Sequence, residues 1–279
     1  LLSSLKNFYQ KDQWFLAYKL SKEKGFSFSF YNYKKVYPPN DRFWADPFPV
    51  FHNQKYYIFL EEYLYKKKKG VISLMQIEEN GAYSKPVKII EEDFHLSYPK
   101  IISLDEQYYM IPESAEKRQI NLYLCVEFPL KWKFQITLID NVDAVDSTVL
   151  FYNNKFWMFT SLKDDIYDSY NDNLHLFFSD NLISNNWTPH PKNPIVKGFD
   201  KSRSAGNLFF YDSKMYRPSQ NCIPKYGSGI KINEVLILNE KEYKEIEVQS
   251  LSPDWSNKIK GLHTINQANK LTIIDNLIK

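Results

Sequence analysis

Residues 45–63 read ADPFPVFHNQKYYIFLEEY, and the chain repeats this pattern several times. An acidic residue opens an alternating apolar run, a short polar turn follows, and an aromatic run ends on two glutamates. Two such runs joined by a polar turn predict a β-hairpin. Three further copies lie at 97–114, 145–161 and 204–220, and a more divergent copy lies at 261–275.

The spacing of the copies predicts a propeller. The hairpins start at or next to Asp46, Tyr98, Asp146, Ala205 and Gly261, and repeats at roughly 50-residue intervals are typical of propeller blades. Further strand-like runs at 70–79, 120–128, 173–180 and 229–238 lie between them, without helical spacing. We therefore predict an all-β, five-bladed β-propeller with about four antiparallel strands per blade, spanning 1–279 as a single domain. A two-sheet sandwich is the alternative that regular strand spacing also allows.

The amino-acid composition favours β-structure and argues against some classes of ligand. Aromatic residues make up 17% of the 279 residues, and such side chains suit a pleated surface. With 36 basic and 33 acidic residues the net charge is only +3, so we expect no nucleic-acid partner. Cys125 and Cys222 lack the spacing of metal ligands, and we expect neither a metal nor a cofactor.

The sequence constrains location weakly. No apolar run approaches the ~18 residues of a membrane span, so we expect no transmembrane segment. No signal peptide is visible, and we expect a cytoplasmic location. The start at LLSSLKNF, without Met, is what a piece of a longer chain would show.

The two ends of each hairpin are predicted to meet at one end of the central channel. In a propeller blade the first strand lines the channel and the second runs antiparallel beside it, so the start of one and the end of the other are neighbours. We expect one funnel to collect these positions: Asp46, Glu61, Tyr98, Glu113, Asp146, Gln220, Arg217 and His263. Trp44 and Tyr226 are predicted to offer aromatic faces to sugar rings, with Arg203 as a further substrate-binding candidate.

Converging carboxylates suit glycosidic-bond chemistry. They raise one another's pKa, which can leave one protonated and another ionised near neutral pH. Cleavage of a glycosidic bond needs such a pair. The hypothesis makes Asp46 the base or nucleophile, Glu113 the acid, and Asp146 the group that orients the substrate and tunes the acid. Arg217 and Gln220 would hold substrate oxygens.

Structural interpretations stay open for several of these residues. Asp46 and Asp146 could cap strand starts through backbone N–H groups. Arg203 and Arg217 could be ion-pair partners of the carboxylates, and His263 on an inner strand could be a core histidine with satisfied hydrogen bonds. Since strand neighbours point to opposite sides, at most one of Glu61 and the next residue belongs to the site.

A longer series of motifs resembles a known propeller module. The series reads FWADPF, HLSYP, YYMIPES, FPLKW, VDSTVLF, LHLFFSD, WTPHPKNPIV, YRPSQNC, YGSGIKINEV and LHTIN. It resembles the module at the N-terminus of plant glucosamine inositolphosphorylceramide transferases, which is found in bacteria alone or joined to formyltransferase-like domains. The resemblance covers nearly the whole chain and implies a propeller working in glycoconjugate synthesis.

The opening Asp-Pro of the first hairpin also resembles the propellers of glycoside hydrolase family 43. In that family an Asp at the position of Asp46 is the general base, and a second Asp and a Glu open other inner strands. Here the blade expected to carry the Glu reads SAGN (204–207) and has no carboxylate. The resemblance therefore implies that any proton donor comes from the second strands, with Glu113 first and Glu61 second.

Two functions follow as expectations. The first is an enzyme that carries out glycosyl transfer or related chemistry on a sugar or sugar nucleotide during polysaccharide or glycolipid synthesis. The alternative is a non-catalytic glycan-binding module that presents substrate to a fused or associated transferase domain. The synthetic context favours transfer over hydrolysis by analogy alone.

Overall fold

The protein is described by a computed structural model that covers residues 13–163, 165 and 169–278. Near the N-terminus lie β1 (Gln13–Leu20) and β2 (Lys34–Val36), with a 3₁₀ turn at Phe30–Asn32 between them. Blade 1 contains β3 (Arg42–His52), β4 (Lys55–Leu64), β5 (Lys69–Ile77) and β6 (Val87–Ile90). Blade 2 contains β7 (Ser97–Leu104), β8 (Gln107–Glu113), a 3₁₀ turn at Ala115–Lys117, β9 (Gln119–Glu127) and β10 (Lys131–Asp140).

The remaining blades follow the same plan. Blade 3 contains β11 (Ala144–Tyr152), β12 (Lys155–Leu162), β13 (Asn173–Ser179), β14 (Thr188–Pro189) and β15 (Val196–Lys197). Blade 4 contains β16 (Phe209–Tyr211), β17 (Lys214–Asn221), β18 (Gly229–Leu238) and β19 (Tyr243–Leu251). Blade 5 contains β20 (Ile259–Gly261), β21 (Ile265–Ala268) and β22 (Leu271–Ile278), together with β1 and β2. The prediction of an all-β, five-bladed β-propeller is confirmed, and the sandwich is excluded.

The two ends of the chain close the ring together. Strand β1 pairs antiparallel with β22 from Gln13↔Ile278 to Leu20↔Leu271, and β2 pairs with the outer side of β1. This ladder removes the open edge that an unclosed ring of sheets would expose. Within the described residues, no helix is long and apolar enough to cross a membrane.

A bulge interrupts the inner strands of the first three blades at the same point. The pairing register slips between Ala45 and Phe48, and likewise in the two blades that follow. Asp46, Tyr98 and Asp146 lie at these slips with φ values of 48°, 43° and 53°. A bulge re-aims a side chain, and a positive φ in a residue as bulky as Tyr is costly and occurs where the surroundings enforce it.

In blade 4 the corresponding left-handed residue is Gly206, one position after the predicted start at Ala205. Its φ is 124°, and a Cβ there would lie 2.2 Å from the backbone oxygen of Ile265. Only glycine fits such a conformation and such a close approach.

Side chains fill the central channel below the bulges. The Tyr98 hydroxyl accepts the N–H of Gly206 at 2.8 Å and lies 2.9 Å from Thr148 Oγ1. Lys100 Nζ donates to Asn207 Oδ1 at 2.5 Å. These bonds link blades 2, 3 and 4 across the axis, so the funnel is closed at its lower end by side chains.

Strand alternation decides which side chains face each neighbouring blade. On β4, Ile58 and Leu60 pack towards blade 5, whereas Phe59 packs towards blade 2. Apolar clusters of this kind occur at each of the five blade–blade contacts. At ~1.5–3 kcal/mol for each fully buried large apolar side chain, these layers are the main stabilising contribution.

Candidate functional site

The funnel is the end of the channel where the bulges and the ends of the second strands meet. Here Asp46 and Asp146 from blades 1 and 3 face Glu113 from blade 2 and His263 from blade 5. The predicted convergence of these four side chains is what the structure shows. Their predicted catalytic and binding roles stay predictions.

Asp46 is held by three neighbouring groups. Its Oδ1 accepts the Thr264 hydroxyl at 2.8 Å and lies 3.3 Å from His263 Nε2, and its Oδ2 accepts the Tyr98 N–H at 3.3 Å. The carboxyl is 5% exposed. Burial raises the pKa of Asp46 to about 6, against the lowering effect of His263. The group is thus fixed in position and able to change charge near neutral pH.

Asp275 anchors this part of the funnel, and the sequence analysis did not single it out. Its Oδ1 accepts the N–H groups of His263 and Thr264 at 3.1 and 3.0 Å, and its Oδ2 accepts the N–H of Asp46 at 3.0 Å. The same Oδ1 lies 2.9 Å from His263 Nδ1. An aspartate inside the apolar strand LTIID (271–275) was the available signal, since a buried charge in a strand needs partners.

Glu113, Asp146 and Arg203 form the second half of the funnel. Arg203 Nε donates to Asp146 Oδ2 at 2.6 Å, and Gln220 Nε2 donates to the same oxygen at 3.0 Å. Burial, followed by the neighbouring Asp146 carboxylate, raises the pKa of Glu113 well above its ordinary value. Glu113 therefore favours its protonated form more than a free glutamic acid does, and it remains partly exposed.

Glu61 lies on the blade 2 side of the funnel, next to His95. His95 Nδ1 accepts the Gly70 N–H at 3.0 Å, so the ring proton sits on Nε2, 3.4 Å from Glu61 Oε1. Burial, and then the neighbouring Asp46 and Glu113 carboxylates, raise the pKa of Glu61 well above its ordinary value. A Cβ on Gly70 would lie 2.4 Å from the backbone oxygen of Leu96 and 2.9 Å from Glu61 Oε1, so a glycine is needed beside this pair.

The structure corrects the placement of Trp44 and Arg217. Trp44 packs between blades 1 and 5 and donates its indole N–H to Glu62 Oε1 at 3.2 Å. Arg217 points towards blade 3 and donates to both oxygens of Glu245, at 2.8 and 2.6 Å. Both side chains follow strand alternation away from the funnel. Arg217 thus forms an ion pair, but with Glu245 and not with a funnel carboxylate. The ion-pair interpretation fits Arg203, which bonds to Asp146.

Aromatic rings line the blade 5 side of the funnel, around His263. Trp14 packs on the His263 ring at a centroid distance of 4.1 Å, and Tyr226 meets that ring edge-on at 5.2 Å. Arg203 lies over the Tyr226 ring at 4.8 Å. Tyr226 is 39% exposed, so it joins Glu113 at the accessible part of the funnel. Tyr98 and Gln220, by contrast, are fully buried and already hydrogen bonded.

Two serines beside the funnel have buried hydroxyls without a hydrogen-bond partner in the described part of the chain. They are Ser161, paired in the sheet with Val145, and Ser204, next to Arg203. A buried polar group without a partner calls for an explanation. A ligand hydroxyl entering the funnel would supply one.

One set of donors could hold a metal ion. Asp46, His263 and Asp275 each offer an atom within 4.8 Å of the others, and carboxylate with imidazole is a common donor set for divalent metals. In the structure the imidazole bridges the two carboxylates. The expectation of no metal stays a prediction.

Replacing Glu61 by a neutral residue tests how much an ionised carboxylate at this position lowers the stability of the fold. A raised pKa in the folded state means that folding favours the protonated acid, so ionisation costs stability as the pH rises above the ordinary value of 4.5. We expect Glu61→Gln to stabilise the fold by about 0.5–2 kcal/mol at pH 8, with the difference vanishing near pH 4.5. Urea unfolding at both pH values measures this.

The adjacent Glu62 provides the contrast for that experiment. It accepts hydrogen bonds from Arg42, Trp44 and Ser73, so its carboxylate is well compensated. We expect Glu62→Gln to destabilise the fold at pH 8. A Glu61→Gln protein that is less stable than the wild type at pH 8 would contradict the assignment of charge strain to Glu61.

The fold and the site together define a five-bladed propeller with an acidic funnel built from all parts of the ring. The sequence model described as "Glucosamine inositolphosphorylceramide transferase 1, N-terminal" matches residues 32–273. The chain belongs to this family.

The curated relatives carry the same name. The chain is 34% identical to glucosamine inositolphosphorylceramide transferase 1 of Arabidopsis thaliana over 209 residues, which are 74% of this chain and 27% of the relative. It is 32% identical to the protein of that name from Oryza sativa subsp. japonica over 216 residues, 76% of this chain and 28% of the relative. The chain thus spans about a quarter of the length of these relatives.

Solved structures with the same fold include glycoside hydrolases. One is a family 117 enzyme of Zobellia galactanivorans, with a TM-score of 0.60, 12% identity, and coverage of 95% of this chain and 91% of that one. Another is the catalytic domain of the Coprinopsis cinerea family 62 α-L-arabinofuranosidase, with a TM-score of 0.64, 10% identity, and coverage of 86% and 94%. At such identities the likeness concerns the fold.

Proposed function

We propose that this propeller is carbohydrate-active: it binds a sugar or sugar nucleotide in the funnel and carries out glycosidic-bond chemistry on it. The observation that supports this most is the partly exposed Glu113 beside Asp146 and Arg203, in the same funnel as Asp46. Burial and the neighbouring Asp146 carboxylate raise the pKa of Glu113 well above its ordinary value, and burial raises the pKa of Asp46 to about 6. Two carboxyl groups whose surroundings shift their pKa values towards neutral pH are what acid–base chemistry at one bond needs.

In this proposal each residue has a stated task. Glu113 donates its proton to the leaving oxygen, and Asp46 acts as base or nucleophile on the other side of the bond. Asp146 is held in place by hydrogen bonds from Arg203 and Gln220, and as a neighbour of Glu113 it raises the pKa of that acid. The family membership favours transfer to an acceptor over transfer to water.

The wider context is also a proposal. The named relatives extend far beyond the matched region. We infer that the propeller acts with a transferase domain, fused or associated, in polysaccharide or glycolipid synthesis.

A glycan-binding module without catalysis is the second candidate. Two observations favour it. The fourth blade has no carboxylate between Ser204 and Asn207, and Asp46 is 5% exposed with both oxygens already in contact with protein groups. Such a module would present a sugar to the transferase partner.

Turnover on a mixed panel of sugar nucleotides and aryl glycosides tests the proposal. The wild type is expected to turn over at least one member, and Asp46→Asn to lose that turnover about a hundredfold or more, while sugar binding persists. Unchanged turnover in Asp46→Asn would remove Asp46 from the mechanism. Sugar binding without turnover in the wild type would favour the binding module.

A further inference from the structure

Two adjoining cavities open at the opposite end of the propeller from the funnel. They lie beside the turn between β16 and β17, whereas Gln220, which bonds to Asp146 in the funnel, lies near the other end of β17. Their volumes are about 400 and 800 Å³, within the range of ligand-binding clefts. They share Gly25, Phe210, Tyr211 and Gln267, so they form one continuous groove, named here the lower groove.

Aromatic rings from two separate segments line the lower groove. Phe26 and Phe28, from the connection between β1 and β2, stack on each other, and Phe26 meets Phe209 of blade 4 at 4.1 Å. At the rim, Phe210 and Tyr211 are 53% and 68% exposed. An exposed apolar patch rimmed by polar groups is typical of a binding surface.

Polar side chains are interspersed with these rings. Gln249 and Gln267 line the first cavity, and Lys24, Asp212 and Asn269 line the second. A sugar ring presents a C–H face that packs on an aromatic ring and a rim of hydroxyls that bonds with amides, carboxylates and ammonium groups. An acyl chain would leave these polar groups without partners, at a cost in free energy.

We propose that the lower groove is a second carbohydrate site, which holds a stretch of glycan chain at a distance from the funnel. The choice of a glycan rests on the proposed function, whereas the groove itself does not. The exposed rings of Phe210 and Tyr211 form the platform on which the sugar rings pack. The groove supplies affinity for a long glycan and takes no part in bond breaking.

The test compares the double variant Phe210→Ala/Tyr211→Ala with a control that removes equally exposed rings elsewhere, Tyr31→Ala/Phe134→Ala. The probe is a printed array of bacterial and plant glycans, followed by calorimetric titration of the oligosaccharide that the wild type retains best. The groove variant is expected to lose at least tenfold in affinity, and the control is expected to match the wild type. Because all four side chains are more than half exposed, each protein should keep the wild-type melting temperature.

Other outcomes separate this inference from the proposed function. If the groove variant binds the oligosaccharide as tightly as the wild type and turnover is found, the lower groove is overturned and the funnel is supported. If glycan binding depends on the lower groove and no turnover is found, the proposal of catalysis in the funnel is contradicted and the proposal of a glycan site in the lower groove is supported. Retention of no glycan by the wild type, or binding of lysophosphatidylcholine in place of glycans, overturns the groove as a carbohydrate site.

Discussion

Replacing Glu113 by Gln is expected to lower turnover about 10²–10⁴-fold, the usual contribution of a general acid. The amide keeps the shape of the protonated carboxyl but has no proton to give to a leaving oxygen. Sugar binding should change little, because Gln also pairs with Asp146. Single-turnover kinetics with an aryl glycoside or sugar nucleotide from the panel measures the loss, and calorimetry measures binding.

A second readout distinguishes a lost acid from a structural effect. In the wild type, turnover should rise as Asp46 loses its proton near pH 6 and fall at higher pH as Glu113 loses its own. The residual turnover of Glu113→Gln should still rise with pH near pH 6, but it should no longer fall at higher pH. Leaving groups that need no protonation should restore much of the rate.

Glu116→Gln is the matched control. Glu116 lies three residues further along the chain, in the exposed 3₁₀ turn that follows β8, and it does not face Asp146. We expect wild-type turnover from it. Wild-type turnover from Glu113→Gln as well would remove the acid from the mechanism and leave the binding module as the better account.

The repeat in the sequence predicted the fold because the same local chemistry recurs in every blade. In each of the first four blades the hairpin turn places a polar pair such as Asn53-Gln54 or Asn153-Asn154 at positive φ, which suits a two-residue turn between twisted strands. Apolar alternation fixed which strands pair. The closure by β1 and β22 was not predicted, because it depends on where the two ends of the chain meet, and no hairpin signal links residues so far apart.

The site was predicted in outline, since hairpin position alone brings Asp46, Glu113 and Asp146 to one end of the channel. Trp44 and Arg217 were misplaced because both lie near the funnel end of their strands in the sequence. Strand alternation turns their side chains away from the funnel, into contacts within and between the blades. Asp275 was missed for a related reason. Its partners are backbone N–H groups of other segments, which a sequence pattern does not display.

The largest loss of stability is expected from Asp275→Ala. Its carboxylate is fully buried and accepts the N–H groups of Asp46, His263 and Thr264, and it also lies against the His263 ring. Removing it leaves these donors without acceptors and the imidazole with one carboxylate instead of two. Breaking a buried charge pair typically costs about 3–5 kcal/mol, a large part of the stability of most domains.

Urea unfolding of Asp275→Ala beside Asp254→Ala, an exposed aspartate on the loop before β20, measures this effect. The control should unfold with the wild-type midpoint. Because His263 has a raised pKa in the folded state, its charge stabilises the fold at low pH, and this contribution is lost as the pH rises through the folded value. The deficit of Asp275→Ala should therefore be largest in mildly acid solution and shrink as His263 loses its proton. A deficit below about 0.5 kcal/mol at pH 6, within the range of ordinary surface substitutions, would mean that the blade 1 bulge holds Asp46 in place without Asp275.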